Sequence, residues 1–88
     1  MAWQVRLDSE FEKSLRKLDR QVARRILVKI YSLAELDEPQ DRCKALSGPL
    51  TGLWRLRVGD YRVLLDIRRG EMVIVALDAG HRREIYDA

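Results

Sequence analysis

The interval between apolar residues changes along this chain, and that change constrains its fold more than any other feature. From Phe11 to Leu33 the apolar side chains recur at helical spacing, whereas from Trp54 to Ile67 they recur every second residue. A chain carrying both periods must lay helices against a sheet. Phe11, Leu15 and Leu18, at i, i+4 and i+7, predict a first helix over about residues 10–18. Ser9, followed three residues later by Glu12, reads as a capping box that starts it. Asp19 can cap a second helix over about 20–36. Its inward stripe would be Val22, Ile26, Ile30 and Leu33, with Arg20, Arg24, Lys29 and Glu35 outside. Two amphipathic helices joined by so tight a turn form a helical hairpin.

Ahead of the helices, Trp3, Val5 and Leu7 alternate with Gln4 and Arg6, predicting a short half-buried strand. Pro39, Ser47-Gly48-Pro49 and Thr51-Gly52 mark residues 37–52 as loop. A strand over 53–58 puts Trp54, Leu56 and Val58 on one face and Arg55 and Arg57 on the other. Gly59-Asp60 turns the chain into a second strand over 61–67, where Tyr61, Val63, Leu65 and Ile67 oppose Arg62, Leu64 and Asp66. A turn at Arg69-Gly70-Glu71 leads to a nearly continuous apolar run over 72–77, suited to a central strand. Residues 79–88 are polar and aperiodic. The expected fold is α+β in two layers, β-α-α-β-β-β, with the helical hairpin packed on one face of a mainly antiparallel sheet.

Eighty-eight residues support one hydrophobic core, so a single domain spanning 1–88 is expected. At 47% hydrophobic and 35% charged, the composition is neither membrane-like nor disordered. A domain of this size is marginal, which favours oligomerisation or a partner that covers apolar surface. The net charge of +3 is a weak pointer to nucleic acid or an acidic partner. One cysteine excludes an intramolecular disulfide, and one histidine excludes HExxH and any multi-histidine metal site. No glycine-rich phosphate loop is present. Neither metal nor cofactor is therefore expected. The sequence opens with no long apolar run, so neither a signal peptide nor a membrane span is expected, and the cytoplasm is the default location.

Two groups of residues could carry chemistry. Strand alternation places Arg55 and Arg57 on one face, and a regular hairpin would bring Arg62 to the same face, making a cationic floor for a phosphate backbone. The plainer alternative is a solvated strand face that resists edge pairing. The second group is Gly80-His81-Arg82-Arg83-Glu84-Ile85-Tyr86, where an imidazole, two guanidiniums and a phenol follow the central strand. Its plainer alternative is a frayed terminus. Cys43, between Arg42 and Lys44, is either incidental or a thiolate activated by its neighbours.

The run Leu53-Trp54-Arg55-Leu56-Arg57-Val58-Gly59-Asp60-Tyr61-Arg62-Val63, with Ala79-Gly80-His81-Arg82-Arg83-Glu84-Ile85-Tyr86, resembles the RelE/ParE toxin superfamily. Lys44-Ala45-Leu46-Ser47-Gly48 is similar to that family's approach to its second strand. The likeness covers nearly the whole chain. It implies a toxin encoded beside a RelB-like protein antitoxin and held by it in a hetero-oligomer. Within the RelE branch it implies a metal-independent endoribonuclease that cuts mRNA in the ribosomal A site. Carried over residue by residue, Arg62 would contact the scissile phosphate, Arg82 would match the arginine near the chain end, and Tyr86 would stack on or orient the target nucleotide. Lys44, Arg55, Arg57 and Arg83 would bind RNA. The chain departs from the pattern where RelE toxins often carry lysines at the positions of Arg55 and Arg57. Arginine is effectively always charged, so no general base is obvious there.

Metal-free RNA cleavage needs a base for the 2′-hydroxyl, cations for the developing phosphorane charge and an acid for the 5′-oxygen. Arg62 and Arg82 are the candidates for charge. His81, whose ordinary pKa lies near 6.5, is the candidate proton carrier, and Tyr86 could donate a proton or stack. All of this requires the strand arginines and the His-Arg-Tyr cluster to converge on one patch. Two rival readings keep the fold: a ParE-like inhibitor of DNA gyrase, and a non-catalytic nucleic-acid-binding relative. In each the arginine face invites an acidic antitoxin segment.

Overall fold

The computed structural model describes residues 2–81. The chain runs β1 (Gln4–Leu7), α1 (Ser9–Arg16), α2 (Arg20–Leu33), β2 (Lys44–Ala45), β3 (Trp54–Val58), β4 (Tyr61–Arg68) and β5 (Val73–His81). Five strands make one sheet in the order β1-β5-β4-β3-β2, with β1 parallel to β5 and every other pair antiparallel. The two helices pack on one face, so the architecture is the expected α+β two-layer fold, with an extra edge strand. Phe11, Ile26, Ile30 and Leu33 descend from the helices onto Leu56, Val63, Leu65, Ile74, Ala76 and Ala79 of the sheet. Phe11 is fully buried, which is worth about 1.5–3 kcal/mol relative to exposure.

Local chemistry sets the element ends. Asp8, one residue earlier than Ser9, is the N-cap of α1; its carboxylate accepts from Glu10 N at 3.4 Å, and Ser9 is the first helical residue. Asp19 caps α2 as expected, accepting from Gln21 N at 3.2 Å. α2 ends at Leu33, short of residue 36, because Ala34, Glu35 and Leu36 donate three residues back, tightening the last turn to 3₁₀. Leu36 still packs against the core. The loop over 37–52 contains two 3₁₀ turns, Pro39–Arg42 and Gly48–Leu50, and between them the two-residue strand β2. In the β3–β4 turn Gly59 sits at φ 60°, as the first position of a two-residue hairpin loop favours. A Cβ there would also meet Arg25 Nη2 at 3.0 Å.

β5 extends past the apolar run to His81, so Ala79, Gly80 and His81 belong to the sheet rather than to an irregular tail. Its pairing with β4 carries a shift: Leu64 faces Asp78 while Leu65 faces Ala76, leaving Leu77 as the extra residue of a bulge. Helix α1 anchors the bulge. Ser14 Oγ donates to Asp78 Oδ1 at 2.5 Å, and the same oxygen accepts from Ala79 N at 2.8 Å.

Candidate functional site

The face of the sheet turned away from the helices gathers the cations of β2, β3 and β4. Register fixes this, because residues directly opposite on neighbouring strands point to the same side. Lys44 lies opposite Arg55, and Arg57 lies opposite Arg62. Both pairs belong to the face opposite Leu56, Val63 and Leu65, which point into the core. Two like-charge pairs thus occupy adjacent rows. Like charges directly opposite on antiparallel strands repel, so such rows favour an anionic neighbour. Gly80 stands opposite Arg62 on β5 and adds no side chain to that row. Further along β4 the charge is cancelled: Arg68 Nε donates to Asp66 Oδ2 at 2.9 Å, and this contact raises the arginine's pKa further. Both like-charge rows lie on the half of β4 nearer the β3–β4 turn.

His81 is not brought together with these groups. It lies opposite Tyr61, on the core side of the sheet, and the two rings meet edge to face at 5.5 Å and 80°. The Leu77 bulge is the cause. Unbroken alternation from Ile74 and Ala76 would carry His81 to the arginine face, and one inserted residue reverses the parity of everything after it. The expectation that His81 shares a patch with Arg62 is thereby corrected. Arg82, Arg83 and Tyr86 lie outside the described residues.

The sequence matches the family described as the ParE toxin of the type II toxin–antitoxin system, parDE, over residues 5–86. The chain belongs to this toxin family. Solved structures agree with the assignment. The toxin–antitoxin complex RelBE2 from Mycobacterium tuberculosis superposes with a TM-score of 0.84 at 26% identity, covering 93% of each chain. The archaeal RelE–RelB complex from Pyrococcus horikoshii gives 0.73 at 27% identity, covering 97% of this chain and 100% of that one. A free mutant RelE toxin from E. coli gives 0.76 at 19% identity, covering 96% and 87%; at that identity the likeness concerns the fold. No curated protein matches the sequence. The chain is thus a RelE/ParE superfamily toxin of a type II system.

The toxin's remaining candidates separate cleanly. Cys43 is half-buried, its Sγ lies 3.7 Å from the Pro39 carbonyl, and burial pushes its pKa up to about 11. A shift in that direction runs against the activated-thiolate reading. Arg69 pairs with Glu38 at 3.3 Å and ties the β4–β5 turn to the loop after α2. Among the described residues no helix of the toxin is long and apolar enough to cross a membrane.

Proposed function

We propose that this toxin is a metal-independent endoribonuclease that cleaves mRNA on the ribosome and so stops translation. The observation that carries the reading is the pair of like-charge rows, Lys44–Arg55 and Arg57–Arg62, on a single sheet face. A phosphate backbone is the ligand such rows fit, since it offers repeated negative charge to fixed guanidinium donors. In this reading Arg62 stabilises the negative charge that grows on the scissile phosphate as the 2′-oxygen attacks and the 5′-oxygen departs. Lys44, Arg55 and Arg57 hold the neighbouring phosphates. Solvent water takes the proton leaving the 2′-hydroxyl and Tyr86 donates one to the departing 5′-oxygen, while the family resemblance assigns Arg82 to charge and Arg83 to a further RNA contact. His81, which faces the core side, takes no part.

The cognate partner in this reading is a RelB-like antitoxin. The relatives from M. tuberculosis and P. horikoshii are toxin–antitoxin complexes, and an acidic antitoxin segment laid over the cationic face would neutralise it and exclude RNA together. Such a toxin acts in the cytoplasm, where its substrate is.

One observation favours a second reading. The matching family is described by the ParE toxin, and a gyrase inhibitor on the same fold would poison DNA supercoiling instead. Inducing the toxin in cells separates the two. Truncated mRNAs mapped by primer extension, with plasmid supercoiling unchanged, are the expected result. An SOS response with full-length mRNA would overturn the nuclease reading in favour of gyrase.

A further inference from the structure

β2 pairs with β3 only as far as Arg55, so among the described residues no strand flanks that edge of the sheet from Leu56 onward. The gap is closed by α2 and the Pro39–Arg42 turn, leaving a concave space of about 340 Å³. That volume falls within the range of small-molecule sites. Three cations from three separate elements line it: Lys29 of α2, Arg42 of the turn and Arg57 of β3. Its apolar wall is made by Leu33, Leu36 and Leu56. Among the described residues neither Lys29 nor Arg42 has a carboxylate within ion-pair distance. Arg57 Nε donates only to the Gly59 carbonyl, at 3.3 Å. Ser32 also lines the space, but its hydroxyl donates to the Lys29 carbonyl at 2.6 Å and is not a free donor.

Three like charges drawn around one cavity repel one another unless an anion sits among them. Arg57 belongs both to this cavity and to the row it shares with Arg62. The cationic surface is therefore continuous from the outer face, around the open edge of β3, to the end of α2. We infer that this cavity is a nucleotide subsite for the RNA strand flanking the cleavage position, with a phosphate held by Lys29, Arg42 and Arg57 and a base or ribose against the leucines. The inference rests on the reading of the outer face as an RNA surface and extends it to a site that no strand alternation could place. A single-stranded polynucleotide suits the cavity better than an acidic peptide does, because it supplies both the spaced charges and the flat apolar surfaces.

The test uses the purified toxin and a labelled single-stranded oligonucleotide of about 10 nucleotides, made with 2′-O-methyl ribose so that it cannot be cleaved. Fluorescence anisotropy across a salt series compares the native chain with a Lys29→Ala, Arg42→Ala double variant. Both side chains are exposed, and an unchanged thermal midpoint confirms that the variant is folded. The expected result is binding weakened by about 10-fold at low salt, with a log–log salt slope shallower by about 0.7 for the one phosphate no longer held. Unchanged affinity and slope overturn the inference. Unchanged RNA binding with weakened binding of a poly-glutamate peptide overturns it too, and assigns the cavity to a protein partner. The two readings fail separately: a toxin that shows this loss yet cuts no mRNA disproves only the nuclease, and one that cuts mRNA with the double variant binding normally disproves only the subsite.

Discussion

The two faces of the β3–β4 hairpin are built from alternate residues of the same short stretch, yet their chemistry is opposite. On one face Leu56, Val58, Val63 and Leu65 are buried under the helices; on the other Arg55 stands opposite Lys44 and Arg57 opposite Arg62. The first face spends its residues on burial, and any of several aliphatic side chains would serve there. The second opposes like charges, which a fold selected for stability alone would avoid. The contrast teaches where to look for function: in the alternate set of residues that the core does not need.

The largest effect belongs to the core face. Phe11→Ala should cost about 3–5 kcal/mol, because it empties a fully enclosed site between α1 and the sheet. Against a total of about 5–15 kcal/mol for a domain this small, urea denaturation should show a chain near its unfolding threshold. A loss below 1 kcal/mol would mean that the helices are not held to the sheet as described. The opposite face should behave in the opposite way. Arg62→Ala should lower RNA cleavage by about 100-fold or more while shifting the urea midpoint far less than Phe11→Ala does, since it empties no enclosed core site. Equal losses of activity and stability would erase the distinction between the faces.

Much of this was legible in the sequence because periodicity reports which side chains need burial. The helical stripe through Ile26, Ile30 and Leu33, the alternation through Val63 and Ile67 and the cap at Asp19 all follow from local rules that the fold obeys. β2 was not legible: Lys44–Ala45 is too short for any period to register, and only its partner β3 defines it. The place of His81 was not legible for a deeper reason. Alternation is exact only while the ladder is unbroken, and the Leu77 bulge, next to which Asp78 meets Ser14 of α1, is a register shift that no local pattern records. The Lys29–Arg42–Arg57 cavity likewise joins residues from a helix, a turn and a strand.

The bulge anchor offers a smaller and more pointed test of the comparison between faces. Ser14→Ala removes one of the two donors to Asp78 Oδ1 and should cost about 1.5 kcal/mol, the lower end for a hydrogen bond to a charged group. If α1 pins the bulge, amide exchange should quicken in β5 around Leu77–Ala79 and stay slow in β3. Uniform quickening through the sheet would show that the bulge stands without the helix.

The smallest expected effect is the one that decides which face does the chemistry. His81 packs edge-on against Tyr61 on the core side, and His81→Phe keeps a ring in that place while removing every titrating atom. Cleavage should stay within about two-fold of the native chain, the range of a substitution away from the reacting groups. The pH profile is the sharper readout. An imidazole acting as base would impose a limb on the acidic side of the profile, with activity lost as the ring protonates, and the phenylalanine variant would lack the limb. If the core-side placement holds, native and variant profiles superpose through this range. A limb that vanishes with the imidazole would mean that the strand end turns over during the reaction and delivers His81 to the arginine face.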